Sequence, residues 1–319
     1  MAGFMDATNQ FLVRTNLYSR EMKQLLLDDL NAMKFVRVLQ DFPDGYTFNI
    51  PSLGEAHTAD FNEGMAIKYN QMDQGNFQFS FDQYKYTANA ISEKFKRDSF
   101  WSSDVIAAFP TRQHRAIMEG VESRIFAVAN SGQTASNLNA INGASHRWVA
   151  AGTSQAITYA DFAKAQNSLF RANVPLNNLC AVVDPSVAYT LMTQANIVNL
   201  LSPQAMAPKI IADGAMSGFK FMFNVFGFDV YMSNYLPAVG SETINSVSVT
   251  NGVANYFFSA TPGDTLPWVG AFRQMPTVYS SFNKDLQQTE YATFTEYGFK
   301  LYRPENLITI LTSTSVVPA

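Results

Sequence analysis

The sequence PTRQHRAIMEGVESRIFAVAN, residues 110–130, contains the clearest helical pattern in the chain. Four of its apolar residues recur at spacings of three and four positions, which places them on one face of a helix. They are Ile117, Val121, Ile125 and Val128. A proline is well accepted as the first helical residue, because the N–H that it lacks would have no partner there. The pattern therefore predicts a helix that begins at Pro110, ends near residue 130 and is about 30 Å long.

Four charged residues of this stretch fall elsewhere on the predicted helix. They are Arg112, Arg115, Glu119 and Glu122. Arg115 and Glu119 are four positions apart, so we expect them to form an ion pair. The sequence Asn130-Ser131-Gly132 is typical of a helix end. The helix separates a polar, aromatic, extended segment from an ordinary α/β sequence, and this arrangement suits a protein that contacts its neighbours.

The composition narrows the classes of protein to consider. The chain has 319 residues, enough for one large domain or two, and only 15% of them are charged, against roughly 25% in an average soluble protein. Low charge together with 13% aromatic residues indicates that much of the surface is covered, for example by other subunits. The net charge of −4 supplies no basic field of the kind that nucleic-acid binding requires.

Other sequence features exclude further classes. No run approaches the roughly 18 uninterrupted apolar residues of a membrane span, and no secretory signal opens the chain. The single cysteine, Cys180, excludes an internal disulfide and a cluster of thiolate metal ligands. The cytoplasm, or a particle assembled there, is the expected compartment.

The N-terminal third of the chain is predicted to form an arm and a hairpin. The pattern from Tyr18 to Val38 favours an amphipathic helix, and a turn is expected at 41–45. An extended region begins at Phe48. It contains a strand over 64–69, a turn over 73–75 and a second strand from Phe77 through Tyr86.

The second strand of this hairpin is strongly aromatic. Phe77, Phe79 and Phe81 alternate with polar residues, so the three rings are expected to share one face. A two-stranded hairpin is at best marginally stable alone in water. Its apolar face therefore packs either on the chain's own domain or on the next subunit, and the sequence leaves both arrangements open.

The remaining elements follow in a plausible order. We predict a short helix over 91–100, a loop over 134–154 and a helix from the N-cap Thr158 to about 173. A buried strand over 179–183, a helix from Pro185 and paired strands over 218–232 follow. The chain ends with a strand-and-turn region over 237–263, which contains Gly240, Asn251-Gly252 and Pro262-Gly263, and with strands between 275 and 312.

The sequence contains no catalytic constellation. Neither a phosphate-binding glycine loop nor a nucleophile elbow is present. The histidines, His57, His114 and His146, lack the spacing of metal ligands. Cys180 lies inside the apolar run LCAVV and is expected to be a buried structural thiol. We therefore predict no catalytic, cofactor-binding or metal-binding residue, and no cofactor.

Several segments together resemble the major capsid proteins of tailed bacteriophages, which have the Hong Kong 97-type shell fold. The segment 158–185 is similar to the helix, strand and proline that open the family's axial lobe. The sequence GFDVYMSNYLP, from Gly227, resembles the family's run of glycine, strand and Ser-Asn-x-x-Pro. The segment 296–305, EYGFKLYRPE, is similar to the strand and Tyr-Arg-Pro turn that end the peripheral lobe.

The resemblance covers nearly the whole chain as an order of elements and implies an α+β fold with five regions. They are an N-terminal arm (1–45), an extended β-hairpin loop (46–88), a peripheral lobe with the spine helix 110–130 (89–157), an axial lobe (158–265) and the return strands of the peripheral lobe (266–319).

The function that the resemblance implies is that of a major capsid protein, not an enzyme. Many copies, as pentamers and hexamers, would form the icosahedral head that encloses the double-stranded DNA genome of a tailed phage without binding it specifically. The protein would lie in the virion after assembly in the host cytoplasm, with no membrane. Since no long charged leader precedes the arm, the resemblance also implies a separate scaffolding protein, together with a portal.

Two alternatives remain at this point. An encapsulin-type nanocompartment shell has the same fold, and an α/β hydrolase or ligand-binding protein is a more remote possibility. On the capsid hypothesis, we expect a set of intersubunit contact residues. They are Phe77, Phe79, Phe81, Tyr84, Tyr86, Arg112 and Arg115.

Overall fold

The computed structural model describes most of the chain. The described residues are 30, 32–39, 47–54, 58, 60, 63, 64, 66, 74–99, 102–193 and 221–313. Within them the chain has an α+β fold, as the sequence predicts. The helices are α1 (Glu93–Asp98), α2 (Ser102–Gly132), α3 (Tyr159–Arg171) and α4 (Pro185–Thr193), with short 3₁₀ turns at Ala32–Phe35, Thr153–Gln155 and Pro304–Asn306.

Thirteen strands are distributed over three sheets in the described residues. The strands are β1 (Val36–Val38), β2 (Thr47–Leu53), β3 (Gln74–Ser80), β4 (Gln83–Ser92), β5 (Arg147–Val149), β6 (Leu179–Val183), β7 (Phe221–Val225), β8 (Phe228–Met232), β9 (Ala238–Ile244), β10 (Val247–Ser259), β11 (Trp268–Asn283), β12 (Gln288–Leu301) and β13 (Ile308–Ser313).

The larger sheet has the strand order β5-β13-β10-β6-β8-β7, and β9 pairs with the N-terminal half of β10. Every residue of β6 and of β13 is buried, which explains the uninterrupted apolar sequence of β6. Alternate residues of these strands point into two different cores. One core contains α3, and the other contains α2. This sheet is therefore covered on both faces.

The smaller sheet has the order β1-β11-β12-β4, in which β1 is parallel to β11 and the other pairs are antiparallel. One face of it lies on α2. The predicted apolar stripe of α2 is buried in full, from Ile117 to Val128. The helix thus packs against both main sheets and joins their cores.

The helix begins earlier than the sequence analysis predicts. It starts at Ser102, so Pro110 lies inside it instead of at its first position. The proline removes the hydrogen bond that its N–H would donate to the carbonyl of Ile106. The chain nevertheless continues as a helix, and side chains on both sides of the proline contact the sheet. Phe109 packs edge-on against Tyr291, and Gln113 donates a hydrogen bond to Asn89.

The predicted arm helix is wrong at its C-terminal end. Residues Ala32–Phe35 form a 3₁₀ turn, and Val36–Val38 form a parallel strand beside Trp268–Gly270. The edge of the four-stranded sheet thus overrides the helical pattern. The rest of the predicted helix before Leu30, and the turn at 41–45, lie outside the described residues.

The hairpin forms with a different first strand. Strand β3 pairs with β2, not with the predicted strand at 64–69. Gly64 lies in a turn with a positive φ of 89°, Ala66 lies in no strand, and most of 64–69 is outside the described residues. The predicted turn at 73–75 is also wrong, because Gln74 and Gly75 already belong to β3. Tyr84 and Tyr86 belong to β4, which pairs with β12 instead of continuing the hairpin.

The second half of the chain agrees better with the sequence. The structure confirms α3, β6, α4 and the pair β7–β8, and α1 is shorter than predicted. The backbone N–H of Thr158 donates to the carboxylate of Asp161, 2.9 Å away, which fixes the start of α3. The expected turn at Asn251-Gly252 is instead an irregularity within β10. The chain reverses at Asn245 and Ser246, both with positive φ, as a two-residue hairpin turn requires.

Two predicted regions do not coincide with the sheets. The predicted loop 134–154 contains β5, and the predicted return segment 266–319 contributes β11 and β12 to one sheet and β13 to the other. Strand β4 crosses the predicted boundary at residue 88. Sheet membership depends on pairings distant in sequence, which local patterns do not specify.

Candidate assembly surfaces

The base of the β2–β3 hairpin is fixed to the body of the protein by two buried phenylalanines. The side chains of Phe79 and Phe81 lie edge to face with ring centroids 5.5 Å apart. They form a small core with Val269 and Ala271 of β11. The hairpin therefore packs on its own chain at this point, one of the two arrangements that the sequence left open.

A second set of contacts lies further along β3. The ring of Phe77 packs edge-on against Tyr302, with centroids 5.1 Å apart. The ammonium of Lys300 donates a hydrogen bond of 2.8 Å to the carbonyl of Gln78 and lies 5.0 Å from the centroid of Phe77. A cation over an aromatic face is attracted by its ring quadrupole. These contacts fix the direction in which the hairpin leaves the body.

A glycine allows this close approach of hairpin and sheet. A Cβ atom at Gly298 would lie 2.4 Å from the carbonyl oxygen of Ser80 and 3.1 Å from the ring of Phe79. Only a residue without a Cβ lets β12 pass so close to β3. The local pattern places Gly298 in a strand but does not indicate this role, because the contact joins residues more than 200 positions apart.

These positions change the predicted set of contact residues. The side chains of Phe79 and Phe81 are buried inside the chain, so they present no surface to a neighbouring subunit, and the prediction for these two is corrected. Phe77 is half-buried against Tyr302. Tyr84 and Tyr86, in contrast, are exposed on the face of the four-stranded sheet that points away from α2.

The opposite face of that sheet is held to α2 by a buried amide. The Nε2 atom of Gln113 donates to Asn89 Oδ1 at 2.8 Å and to the carbonyl of Tyr291 at 3.1 Å. Its Oε1 atom accepts from the hydroxyl of Thr293 at 2.8 Å. The amide thus joins the helix to β4 and β12. Gln113 lies four positions before Ile117, so a polar residue on the apolar stripe was the signal that could have revealed it.

The four charged residues of α2 that the sequence analysis considered have three different environments. Arg115 and Glu119 form the predicted ion pair, with Nε and Oε1 2.8 Å apart, so Arg115 has a partner in its own chain. Arg112 is exposed on the helix surface. Glu122 is buried, contrary to its predicted place off the apolar face. It accepts hydrogen bonds from the N–H of Ala32 and the hydroxyl of Ser233. Because α2 is covered on two sides, its buried surface is wider than one stripe.

A second buried charge lies where α2 ends. The guanidinium of Arg147 donates to both carboxylate oxygens of Glu242, at 3.0 and 2.8 Å, and to Asn130 Oδ1 at 3.0 Å. The carboxylate also accepts from the N–H of Ser136 at 2.7 Å. Burial alone would raise the pKa of Glu242, but the hydrogen bonds from Arg147 and Ser136 lower it below its usual value. The pair therefore stays ionised and ties α2 to β5 and β9.

The histidines and the cysteine lie in the environments of structural or surface residues. His146 is buried, and His114 is exposed, while His57 lies outside the described residues. Burial, with a smaller effect from the charge of Asp229, raises the pKa of the Cys180 thiol to about 12, so it is not a nucleophile at neutral pH. Among the described residues, no group of His, Cys, Asp and Glu has the arrangement of a metal site, and no helix is long and apolar enough to cross a membrane.

The fold of this chain is similar to that of solved capsid structures. The structure matches a chain of the capsid of cyanophage P-SCSP1u with a TM-score of 0.72 and 14% identity, over 95% of this chain and 93% of that chain. It matches a chain of the mature capsid of bacteriophage PhiM1 with a TM-score of 0.70 and 10% identity, over 96% of this chain and 93% of that chain. It also matches a chain of Mycobacterium phage Che8 with a TM-score of 0.66 and 15% identity, over 97% of this chain and 99% of that chain. The fold is therefore the Hong Kong 97-type shell fold.

The sequence alone gives the family. A family model described as phage capsid protein matches residues 81–310, most of the chain. The chain belongs to the phage capsid protein family and is a major capsid protein of a phage head shell. A comparison with curated proteins finds no match.

Proposed function

We propose that many copies of this chain, arranged as pentamers and hexamers, build the icosahedral head of a tailed phage around its double-stranded DNA. The match of residues 81–310 to the phage capsid family is the observation that carries the proposal. It favours a genome container over the encapsulin alternative and over a hydrolase. The role is structural, and the protein resides in the virion after assembly in the host cytoplasm.

Surfaces on the described part of the chain support self-association. The β2–β3 hairpin is attached to the body at its base, and the four-stranded sheet leaves one face exposed. A closed shell needs several different contacts per subunit, and each contact can be weak because hundreds act together. We propose that the exposed residues Tyr84, Tyr86 and Arg112 take part in such contacts, with a smaller contribution from Phe77 and Arg115.

The interior of the shell is proposed to hold DNA without specific binding. The net charge of −4 disfavours tight phosphate contacts across the subunit. A separate scaffolding protein and a portal complete the proposed set of partners. Their involvement predicts that the purified chain assembles less regularly than the chain expressed with the other head proteins.

Electron microscopy and light scattering test this function directly. Uniform shells from the expressed chain, filled with DNA in lysates of infected cells, are the expected result. Shells that contain a cargo enzyme and no genome would favour the encapsulin alternative. A stable monomer or dimer under all conditions, with and without the other head proteins, would contradict the proposal.

A shortened hairpin tests the role of the β2–β3 connection. Leu53 pairs with Gln74, so an Asn-Gly turn can replace residues 54–73 while leaving β2, β3 and the buried phenylalanines in place. We expect a folded subunit that forms no complete shells. The unaltered chain, prepared in parallel, is the control. Normal shells from the shortened chain would show that this connection makes no necessary contact.

A further inference from the structure

Large exposed apolar side chains are concentrated at one end of the four-stranded sheet. They lie on β4, on β11 and in the turn that follows β11. They are Tyr84, Tyr86, Met275, Val278, Tyr279, Phe282 and Leu286. Single exposed apolar residues are normal on soluble proteins, but a contiguous apolar patch marks a surface that another molecule covers.

Four rings on one face of this sheet form a continuous group. Phe294 of β12 lies at its centre. The ring centroids of Tyr84, Tyr86 and Tyr279 lie 6.3, 6.2 and 6.1 Å from that of Phe294, and the Tyr84 ring is nearly parallel to it, at 17°. The rings come from three adjacent strands, since β12 pairs with both β4 and β11. We call these four residues the aromatic patch.

The aromatic patch has no cover among the described residues. Tyr84 is 64% exposed, Tyr86 69% and Tyr279 54%, whereas Thr293, on the other face of β12, is buried against α2. Ala88 and Ala90, exposed on β4, extend the surface with small side chains. The result is a flat apolar area with tyrosine hydroxyls, the composition typical of protein–protein interfaces.

The charges at the rim do not favour a polyanion. Glu290 lies on the same face of β12, and Glu296 is paired with Arg273 at 3.3 Å. Stacking platforms for nucleic acids combine aromatic rings with a positively charged groove. An aromatic patch with an acidic rim instead fits a neutral or apolar protein surface.

The size of the aromatic patch indicates how its partner binds. With about 200 Å² per ring, the three tyrosines expose on the order of 400 Å². A stable complex buries roughly 800 Å² on each partner. The patch is therefore too small to hold a dimer by itself, but it suits one of several weak contacts that act together in a closed shell.

We propose that the aromatic patch binds a second copy of this chain in the assembled shell. The inference rests on the proposed function, because only a shell supplies the additional contacts that such a small patch needs. It adds Tyr279 and Phe294 to Tyr84 and Tyr86, two of the seven contact residues predicted from the sequence.

A photo-cross-linker at the patch identifies the partner. With 4-benzoylphenylalanine replacing Tyr279, irradiation of shells is expected to produce covalent dimers of the chain, and mass spectrometry locates the partner peptide. Cross-linking to a different protein, or no cross-linking in intact shells, would overturn the inference while leaving the proposed function intact. Failure of the unaltered chain to form shells in any preparation would instead count against the proposed function.

Serine substitutions measure the contribution of the aromatic patch. The triple variant Tyr84→Ser, Tyr86→Ser, Tyr279→Ser is expected to keep its far-UV circular dichroism and to require at least tenfold more protein for assembly. Tyr189→Ser is the matched control, since Tyr189 is a tyrosine of similar exposure on α4, and it should assemble like the unaltered chain. A folded triple variant that assembles at the unaltered concentration would overturn the proposal.

Discussion

The two main sheets of this protein differ in how completely the chain covers them. The seven-stranded sheet is buried between a core that includes α2 and a core that includes α3. The four-stranded sheet is buried only where α2 lies on it, and the ends of β4 and β11 carry exposed aromatic residues. A subunit that functioned alone would gain nothing from the second arrangement. For a shell subunit, the first sheet supplies stability and the second supplies contact surface.

A pair of Phe→Ala substitutions tests this difference most directly. Phe257 of β10 is fully buried and packs edge-on against Phe162 and Phe228, so Phe257→Ala should reduce the free energy of unfolding by about 3–5 kcal/mol. Phe282 of β11 is half-exposed, so Phe282→Ala should change the free energy of unfolding by about 0.5 kcal/mol or less. Denaturant unfolding of the unassembled subunits gives both values. Equal losses would mean that the two sheets contribute alike to stability.

The buried ion pair of the larger sheet should respond in a characteristic way. Arg147→Met leaves the Glu242 carboxylate buried without its cation and should cost about 3–5 kcal/mol of unfolding free energy. Adding Glu242→Leu removes that unpaired charge, so the double variant should be more stable than Arg147→Met alone. Urea unfolding of all four chains completes the mutant cycle. A double variant less stable than Arg147→Met alone would show that the unpaired carboxylate of Glu242 is not the main cause of the loss.

The same region predicts a dependence of stability on pH. Burial lowers the pKa of His146 below its usual 6.5, against the opposing effects of the Ala144 and Glu305 carbonyls and the Glu305 charge. The unfolded chain therefore binds a proton near pH 6.5 that the folded chain does not. Stability is retained above pH 6.5 and falls as the pH decreases below it, by up to about 1.4 kcal/mol per pH unit.

The variant His146→Gln isolates this effect from the titration of carboxylates. Its free energy of unfolding should change less than that of the unaltered chain between pH 6.5 and 5. The measurement is a series of urea titrations at several pH values. Parallel curves for the two chains would exclude His146 as the source of the acid sensitivity.

The sequence predicts much of the fold where local patterns are decisive. The stripe of α2, the Thr158 start of α3 and the apolar run of β6 are local features, and all three are confirmed. The errors concern partners distant in the chain. Val36 joins a parallel strand beside Trp268, and β3 pairs with β2 across a 20-residue connection. Helical periodicity and strand alternation carry no information about such pairings.

The assembly surface is less predictable for a different physical reason. Phe79 and Tyr84 are both aromatic residues in predicted strands, yet one is buried and the other is exposed. Their environments are decided by Gly298, which lets β12 approach β3, and by Phe294, against which the Tyr84 ring stacks. Neither residue is near them in sequence. The alternation of a strand assigns side chains to a face, but only the tertiary structure determines which face remains open.

The ion pair predicted from the sequence of α2 should have the smallest effect. Arg115 and Glu119 are partly exposed, with side chains 20% and 34% accessible. A double-mutant cycle with Arg115→Ala and Glu119→Ala should therefore give a coupling energy of about 0.3–0.5 kcal/mol, smaller at high salt. Gln113→Ala, half a turn earlier on the buried face, leaves the Thr293 hydroxyl and the Asn89 amide without their partner and should cost about 1–3 kcal/mol. A coupling energy for the ion pair as large as the Gln113 effect would contradict this ranking. It would mean that contacts on the outer side of α2 hold the subunit together as strongly as those between the helix and the four-stranded sheet.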